Sequence, residues 1–347
     1  MVSTGERLLT PDEVGPVVEQ LTGVLRELDG VLLGQPGLHR MVLVGILSRG
    51  HILLEGMPGV GKTAMIRTLG QLLTLDFNRV QFTPDLMPSD IVGSPILEEQ
   101  DGQRQMVFKP GPVFTNILLA DEINRASPKT QSAMLEAMQE RCVTTMGQTR
   151  TLPSPFFVLA SQNPIELEGT YPLPEAQVDR FLFKLNVPRP SAETMERIID
   201  GRRRGQEPTP EGLVDAAGLE QLFAVMDRVV MPPAVSRYVA NLVAATHADD
   251  PRAPELIKKY VTHGASPRAA IGMAEAARAV ALLNGRPTAG FEDVDAVAEP
   301  VLNHRMILNY QARFDGVTPG DVVATLVESI DAVDAGLPRD IQVEAGA

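Results

Sequence analysis

"GMPGVGKT" occupies residues 56–63. It follows the aliphatic run "HILLE" (51–55) and precedes a stretch whose apolar residues Ala64, Met65, Leu69, Leu72 and Leu73 fall at helical spacing. A strand, a glycine-rich turn and a helix start, in that order, form a cradle for phosphate. Gly56, Gly59 and Gly61 let backbone N–H groups converge on an anion, and the helix N-terminus adds its partial positive charge. Lys62 reaches the β- and γ-phosphates of a nucleotide, and the Thr63 hydroxyl can ligate Mg2+. Pro58, Val60 and Ala64 complete the segment expected to hold ATP.

Such a loop needs a second acid to hold the metal and, for hydrolysis, a group that orients water. The run "NILLADE" (116–122) supplies both. An aliphatic strand over 117–120 brings Asp121 to the carboxyl end of a parallel sheet, where ligands bind in open α/β folds. Asp121 is then the Mg2+-side carboxylate and Glu122 the residue that polarises the attacking water. Downstream, Ser127 caps a helix that opens with Pro128, and Met134, Ala137 and Met138 form its apolar face. A further strand, "FFVLASQNP" (156–164), ends in polar residues. This order places Asn163 beside the two acids, within reach of the γ-phosphate or the water; alone it would be a turn residue before Pro164. Arg125 either faces an interface or packs on the helix after the acids.

Further runs extend this texture. "RFLFKLNV" (180–187) is another short strand, and the alternation of strands with helical patterns reads as a parallel sheet with helices on both faces. From about Pro188 strands give way to helical stretches punctuated by Pro and Gly, so a second, all-helical domain is expected. The expected division is an N-terminal helical segment over 1–30, the α/β core over 31–188, the helical domain over 189–336 and a flexible tail over 337–347. The 347 residues, 44% of them hydrophobic, suffice for such cores. No apolar run approaches the length of a membrane span and the N-terminus has no signal-like core, so no membrane insertion and a cytoplasmic location are expected. One cysteine excludes an internal disulfide framework. A formal net charge of −13 disfavours nucleic acid as partner.

Taken in order, "GMPGVGKT", "LLADE", "ASQNP", "EAQVDRF" and "SPRA" resemble the motifs of the AAA+ ATPases, and "ADEINRASPKTQSAMLEAMQE", "FKPGPVF" and "YPLPEAQVDRFLFK" are similar to MoxR family wording. The resemblance runs from roughly residue 20 to 335. It implies a P-loop NTPase core followed by a helical lid. Arg180 then stands at the place of the arginine finger that reaches a neighbouring subunit's site, a group worth about 10³ to 10⁵ in rate where present; the alternative is a local pair with Asp179 or Glu175. Arg268, in "GASPRA", stands at the second sensor, acting within its own subunit or across an interface. Val31 and Leu32 are expected to flank adenine. The resemblance further implies a ring of identical subunits, six by superfamily habit, a von Willebrand factor A domain protein as partner, and a protein client remodelled, activated or loaded with cofactor. A metal-chelatase motor and a nucleotide-dependent assembly switch are the alternatives. Two segments read as hairpins, one about Asp101 and Gly102 and one about Gly147, projecting toward a pore or partner or serving only their own subunit. The basic run 202–204 ends a helix or faces solvent.

Overall fold

The computed structural model describes residues 8–57, 59–100, 103–163, 170–201 and 210–330. Pro58, Pro164, the Asp101 and Gly102 turn, the basic run 202–204 and the tail 337–347 lie outside the described residues. In chain order the strands are β1 (Ile52–Glu55), β2 (Phe77–Gln81), β3 (Gly93–Gln100), β4 (Gln103–Pro110), β5 (Ile117–Asp121), β6 (Cys142–Thr145), β7 (Gln148–Thr151), β8 (Phe157–Gln162), β9 (Phe183–Asn186), β10 (Val261–His263) and β11 (Ile307–Leu308). The helices are α1 (Pro11–Val31), α2 (Pro36–Leu47), α3 (Lys62–Leu72), α4 (Pro88–Val92), α5 (Pro128–Glu140), α6 (Glu175–Val178), α7 (Ala192–Gly201), α8 (Ala216–Met226), α9 (Pro233–Ala244), α10 (Glu255–Tyr260), α11 (Pro267–Leu283), α12 (Phe291–Leu302), α13 (Tyr310–Phe314) and α14 (Pro319–Ser329).

Five parallel strands form one sheet in the order β2-β5-β8-β1-β9. Strand β5 is buried along its whole length, and Ile52, Leu53 and Leu54 of β1 are equally enclosed. Fully burying one such Leu or Ile stabilises the fold by about 1.5–3 kcal/mol, so these short runs sit where the chain gains most from leaving water. The strand of this sheet absent from the sequence reading is β2. Its residues "FNRVQ" carry one buried apolar side chain, Val80, because β2 is an edge of the sheet with a single neighbour, β5. The register of β2 on β5 sets Gln81 opposite Asp121, and that of β8 on β1 sets Gln162 opposite Glu55. The carboxyl ends of four strands therefore converge.

Both hairpins form. β3 pairs with β4 and β6 with β7, each antiparallel. Met146 and Gly147, at φ 55° and 72°, make the turn between β6 and β7. The Arg150 guanidinium of β7 lies 4.0 Å from the centroid of the Phe108 ring of β4, tying one hairpin to the other.

The chain divides into two compact units, one of Pro16–Ala224 and one of Met1–Gly15 with Val225–Ala347. By this division α7 clusters with the sheet. The other unit is helical, with α9, α11, α12 and α14 sharing a core of Tyr238, Leu242, Met273, Val280, Val294, Val297 and Leu326. Ala269, Ala276, Ala277 and Ala281 are fully enclosed on α11, and their small side chains let neighbouring helices approach closely. A short antiparallel ladder, β10 with β11, adds extended backbone to a unit that the sequence reads as purely helical. Among the described residues no helix is long and apolar enough to cross a membrane.

Candidate functional site

The phosphate loop leaves the carboxyl end of β1 and enters α3 at Lys62. Two glycines are dictated by geometry. Gly61 caps α3 at φ 91°, in the left-handed region where a side chain is strained. A Cβ on Gly56 would lie 2.7 Å from the Val187 carbonyl oxygen, so only glycine lets the loop pass the end of β9. Lys62 is buried, and its Nζ donates to the Gly56 carbonyl at 2.7 Å. Burial pulls its pKa below the usual lysine value, while the charges of Asp121, Glu122 and Glu55 push the other way.

Lys62, Thr63, Ala64, Asp121, Glu122 and Asn163 line one cavity of about 430 Å³, with Gly59 and Gly61 at its floor and Arg67, Arg79 and Gln81 completing its wall. Beside it lies a more enclosed pocket of about 200 Å³, walled by Leu32, Leu33, Leu38, Val60, Met65, Val187 and Ile198 and sharing Gly59, Gly61 and Lys62 with the first. Leu32 therefore stands in an apolar wall of the kind expected around a base. Val31 is buried at the end of α1 and does not line this pocket.

The two acids are braced from both neighbouring strands. From β2, the Arg79 guanidinium donates twice to Asp121 Oδ2, Nη2 at 2.7 Å and Nε at 3.1 Å, and Gln81 donates to Glu122 Oε2 at 2.7 Å. Arg79 also donates to Gln81 Oε1 at 2.6 Å, so these two side chains, on one face of the strand, act together. From β8, the Ser161 hydroxyl donates to Asp121 Oδ1 at 2.5 Å and accepts the Glu122 N–H at 2.9 Å. Arg125, in the short 3-10 turn after the acids, donates to Glu122 Oε2 at 2.9 Å. Glu122 itself has φ 56° and ψ 50°, left-handed for a residue with a Cβ, a conformation that costs about 1–2 kcal/mol and persists only where surroundings hold it. Asn163 is buried, and its carbonyl accepts from Asn124 Nδ2 at 3.4 Å.

A sequence profile of the ATPase family associated with various cellular activities (AAA) matches residues 51–183, and a profile of the AAA lid domain matches 254–326. The chain is 44% identical over 313 residues to the chaperone MoxR1 of Mycobacterium tuberculosis, spanning 90% of this chain and 82% of that protein. It is 33% identical over 331 residues to protein MoxR of Paracoccus denitrificans, spanning 90% and 94%. The chain belongs to the MoxR family of AAA+ ATPases. A crystal structure of a candidate ATPase from Cytophaga hutchinsonii matches with TM-score 0.84 at 38% identity, covering 92% of this chain and 97% of that one. Membership of a family of AAA+ ATPases brings nucleotide binding with it.

Two of the residues singled out from MoxR wording are not lining the phosphate cavity. Arg180 follows α6 and lines a separate cavity of about 440 Å³ with Ser132, Leu135, Glu136, Gln139, Glu140 and Gln177. Its Nη1 donates to the Leu135 carbonyl at 3.0 Å, and its buried Nε has no hydrogen-bond partner among the described residues. Arg268 stands in the first turn of α11, in the other compact unit. Four residues of the phosphate cavity and its bracing escaped the sequence reading: Arg67, Arg79, Gln81 and Ser161. For Arg79 and Gln81 the available signal was their two-residue spacing on a strand one position from the acid strand, visible only once β2 is recognised. Arg67, five residues past Lys62 on α3, carried only helical spacing as a cue.

Proposed function

We propose that this protein hydrolyses ATP in a Mg2+-dependent cycle and uses that cycle, as a ring of identical subunits, to remodel or activate a protein client. The observation that carries this reading is the convergence of Lys62, Thr63, Asp121, Glu122 and Asn163 on one cavity at the strand ends. The cavity offers the metal hard oxygen donors, the Thr63 hydroxyl and the Asp121 carboxylate. Asp121 accepts bonds from Arg79 and Ser161, and an ionised carboxylate with about four acceptor sites retains room for a cation. No cluster of three or more His, Cys, Asp or Glu able to hold a metal occurs among the described residues, in keeping with Mg2+, which keeps waters and substrate phosphate oxygens in its shell. Bound there, the ion would neutralise charge on the phosphates.

In this reading Lys62 leaves the Gly56 carbonyl to bind the β- and γ-phosphates. The loop amides and the start of α3 hold the remaining phosphate charge. Glu122 orients and polarises the attacking water, its carboxylate steadied at Oε2 by Gln81 and Arg125. Asn163 bonds the γ-phosphate or that water. Arg180 completes the site of a neighbouring subunit, a role supported by its unpartnered Nε and by a cavity that shares no lining residue with the phosphate site. Arg268 reads the nucleotide from the lid. A von Willebrand factor A domain protein is the proposed partner through which the client is reached.

The test is turnover by the Glu122→Gln variant. Loss of the water-orienting carboxylate lowers kcat by about 10²-fold or more while ATP binding persists. Turnover within twofold of the unmodified protein would remove Glu122 from this role.

A further inference from the structure

The geometry points to Ser161 as a positioning residue that sets both acids of the phosphate site through one hydroxyl. It rests on the hydrolase reading. Ser161 is fully buried in β8, next to β1 and two positions before Asn163. Its proton goes to Asp121 Oδ1 at 2.5 Å, which leaves its lone pairs to accept the Glu122 N–H at 2.9 Å. The two bonds define each other: with the hydroxyl proton committed to a carboxylate, the oxygen faces the amide as an acceptor.

The second bond falls where the backbone needs holding. Glu122 is the left-handed residue, and the peptide unit that precedes it is gripped at both ends, its N–H by Ser161 and the Asp121 carbonyl by the Phe82 N–H at 2.8 Å. Releasing the N–H end lets Glu122 relax toward an ordinary φ, which re-aims its Cβ and hence its carboxylate. The same loss frees Asp121 Oδ1 to turn about its side-chain torsions, leaving Arg79 as its remaining hold. Because Asn163 shares the end of β8, Ser161 also ties the position of that amide to the acids. It does not line the phosphate cavity; it acts through Asp121 and Glu122.

The test compares the full-length protein with Ser161→Ala, Ser161→Thr and Glu122→Gln. Steady-state kcat and KM, the Kd of a fluorescent ATP analogue and the thermal midpoint are measured for each. Ser161→Ala is expected to lower kcat about tenfold or more, since misplacing a reacting group by about 1 Å costs on the order of 10²-fold. KM and the analogue Kd should stay within about twofold, because an interaction used only in the transition state moves kcat and not ground-state binding. Ser161→Thr, which keeps the hydroxyl, should recover most of the lost kcat. A purely structural serine would show a lowered thermal midpoint with kcat intact, and that result overturns the assignment, as does failure of Ser161→Thr to exceed Ser161→Ala. Should Ser161→Ala not fold, Ser161→Cys, with a weak donor of similar size, takes its place under the same criteria. Wild-type turnover no higher than that of Glu122→Gln sinks the hydrolase reading, and this one with it; normal wild-type turnover with unchanged Ser161→Ala kcat sinks this one alone.

Discussion

Acidification should weaken the sheet unit through one histidine. The His51 ring is buried between the start of β8 and the end of α5, where Nδ1 accepts the Val158 N–H at 3.0 Å and Nε2 donates to the Met138 carbonyl at 3.2 Å. Both nitrogens are satisfied only in the neutral ring. Loss of hydration lowers its pKa from 6.5 to about 4, with the Arg141 charge acting in the same sense and the Met138 bond opposing. The folded pKa lies below that of the unfolded chain, so the stabilising contribution is present in full above pH 6.5 and is lost as the pH falls toward 4. In that window the unfolded chain binds a proton that the fold refuses, and at ~1.4 kcal/mol per pH unit the loss reaches about 3 kcal/mol. Urea unfolding at intervals between pH 7 and pH 4 measures it, with His51→Gln as the non-titrating reference. The wild-type protein should lose about 3 kcal/mol more than the variant across that range. With five histidines in the chain, ring titration by NMR is a second check. Equal pH slopes for the two proteins, or a His51 ring that titrates near 6.5, would refute the reasoning.

Gly56→Ala should cost about 1–3 kcal/mol, because the new Cβ meets the Val187 carbonyl at 2.7 Å and backbone yields less readily than a side-chain tip. Denaturant unfolding reads the loss, and a stability change below ~0.5 kcal/mol would show that the loop and β9 are not in such close contact. For Arg180, inactive Glu122→Gln and Arg180→Ala proteins are mixed and co-assembly confirmed. Hybrid sites that join an intact Glu122 to a partner's intact Arg180 should restore part of the ATPase activity, and none would appear if Arg180 served its own subunit.

How far the sequence carries depends on whether a residue's role is local. The loop at 56–63 and the acid strand at 117–121 are each written in one contiguous stretch, with glycine spacing and an aliphatic run that few other structures require. Those two stretches, with the later helical texture, are enough for the fold class, while the family rests on the longer wording of "ADEINRASPKTQSAMLEAMQE", "FKPGPVF" and "YPLPEAQVDRFLFK". Ser161 is the opposite case. Inside "ASQNP" it looks like a small strand residue, and its partners lie 39 and 40 positions away. Strand β2 failed for a different reason: an edge position removes the apolar alternation by which a strand is recognised, and "FNRVQ" reads as loop. Arg125 was legible as a charge in an odd place, but only the left-handed Glu122 brings its guanidinium onto the carboxylate three residues earlier. The role proposed for Arg180 involves a neighbouring subunit, which a single sequence does not describe.

The polarity that hides β2 has a consequence beyond catalysis. A terminal strand presents unpaired backbone N–H and C=O groups to which a stray β-strand from another molecule can add, and charged side chains along it discourage such addition. Arg79, exposed on β2 while gripping Asp121, places a fixed cation on that border. Replacing it with an aliphatic residue would make the strand easier to recognise in sequence, leave an acid without its guanidinium, and open the sheet to unwanted association during folding and storage. The residue type at position 79 is thus constrained from two sides, by the chemistry of the cavity and by colloidal hygiene.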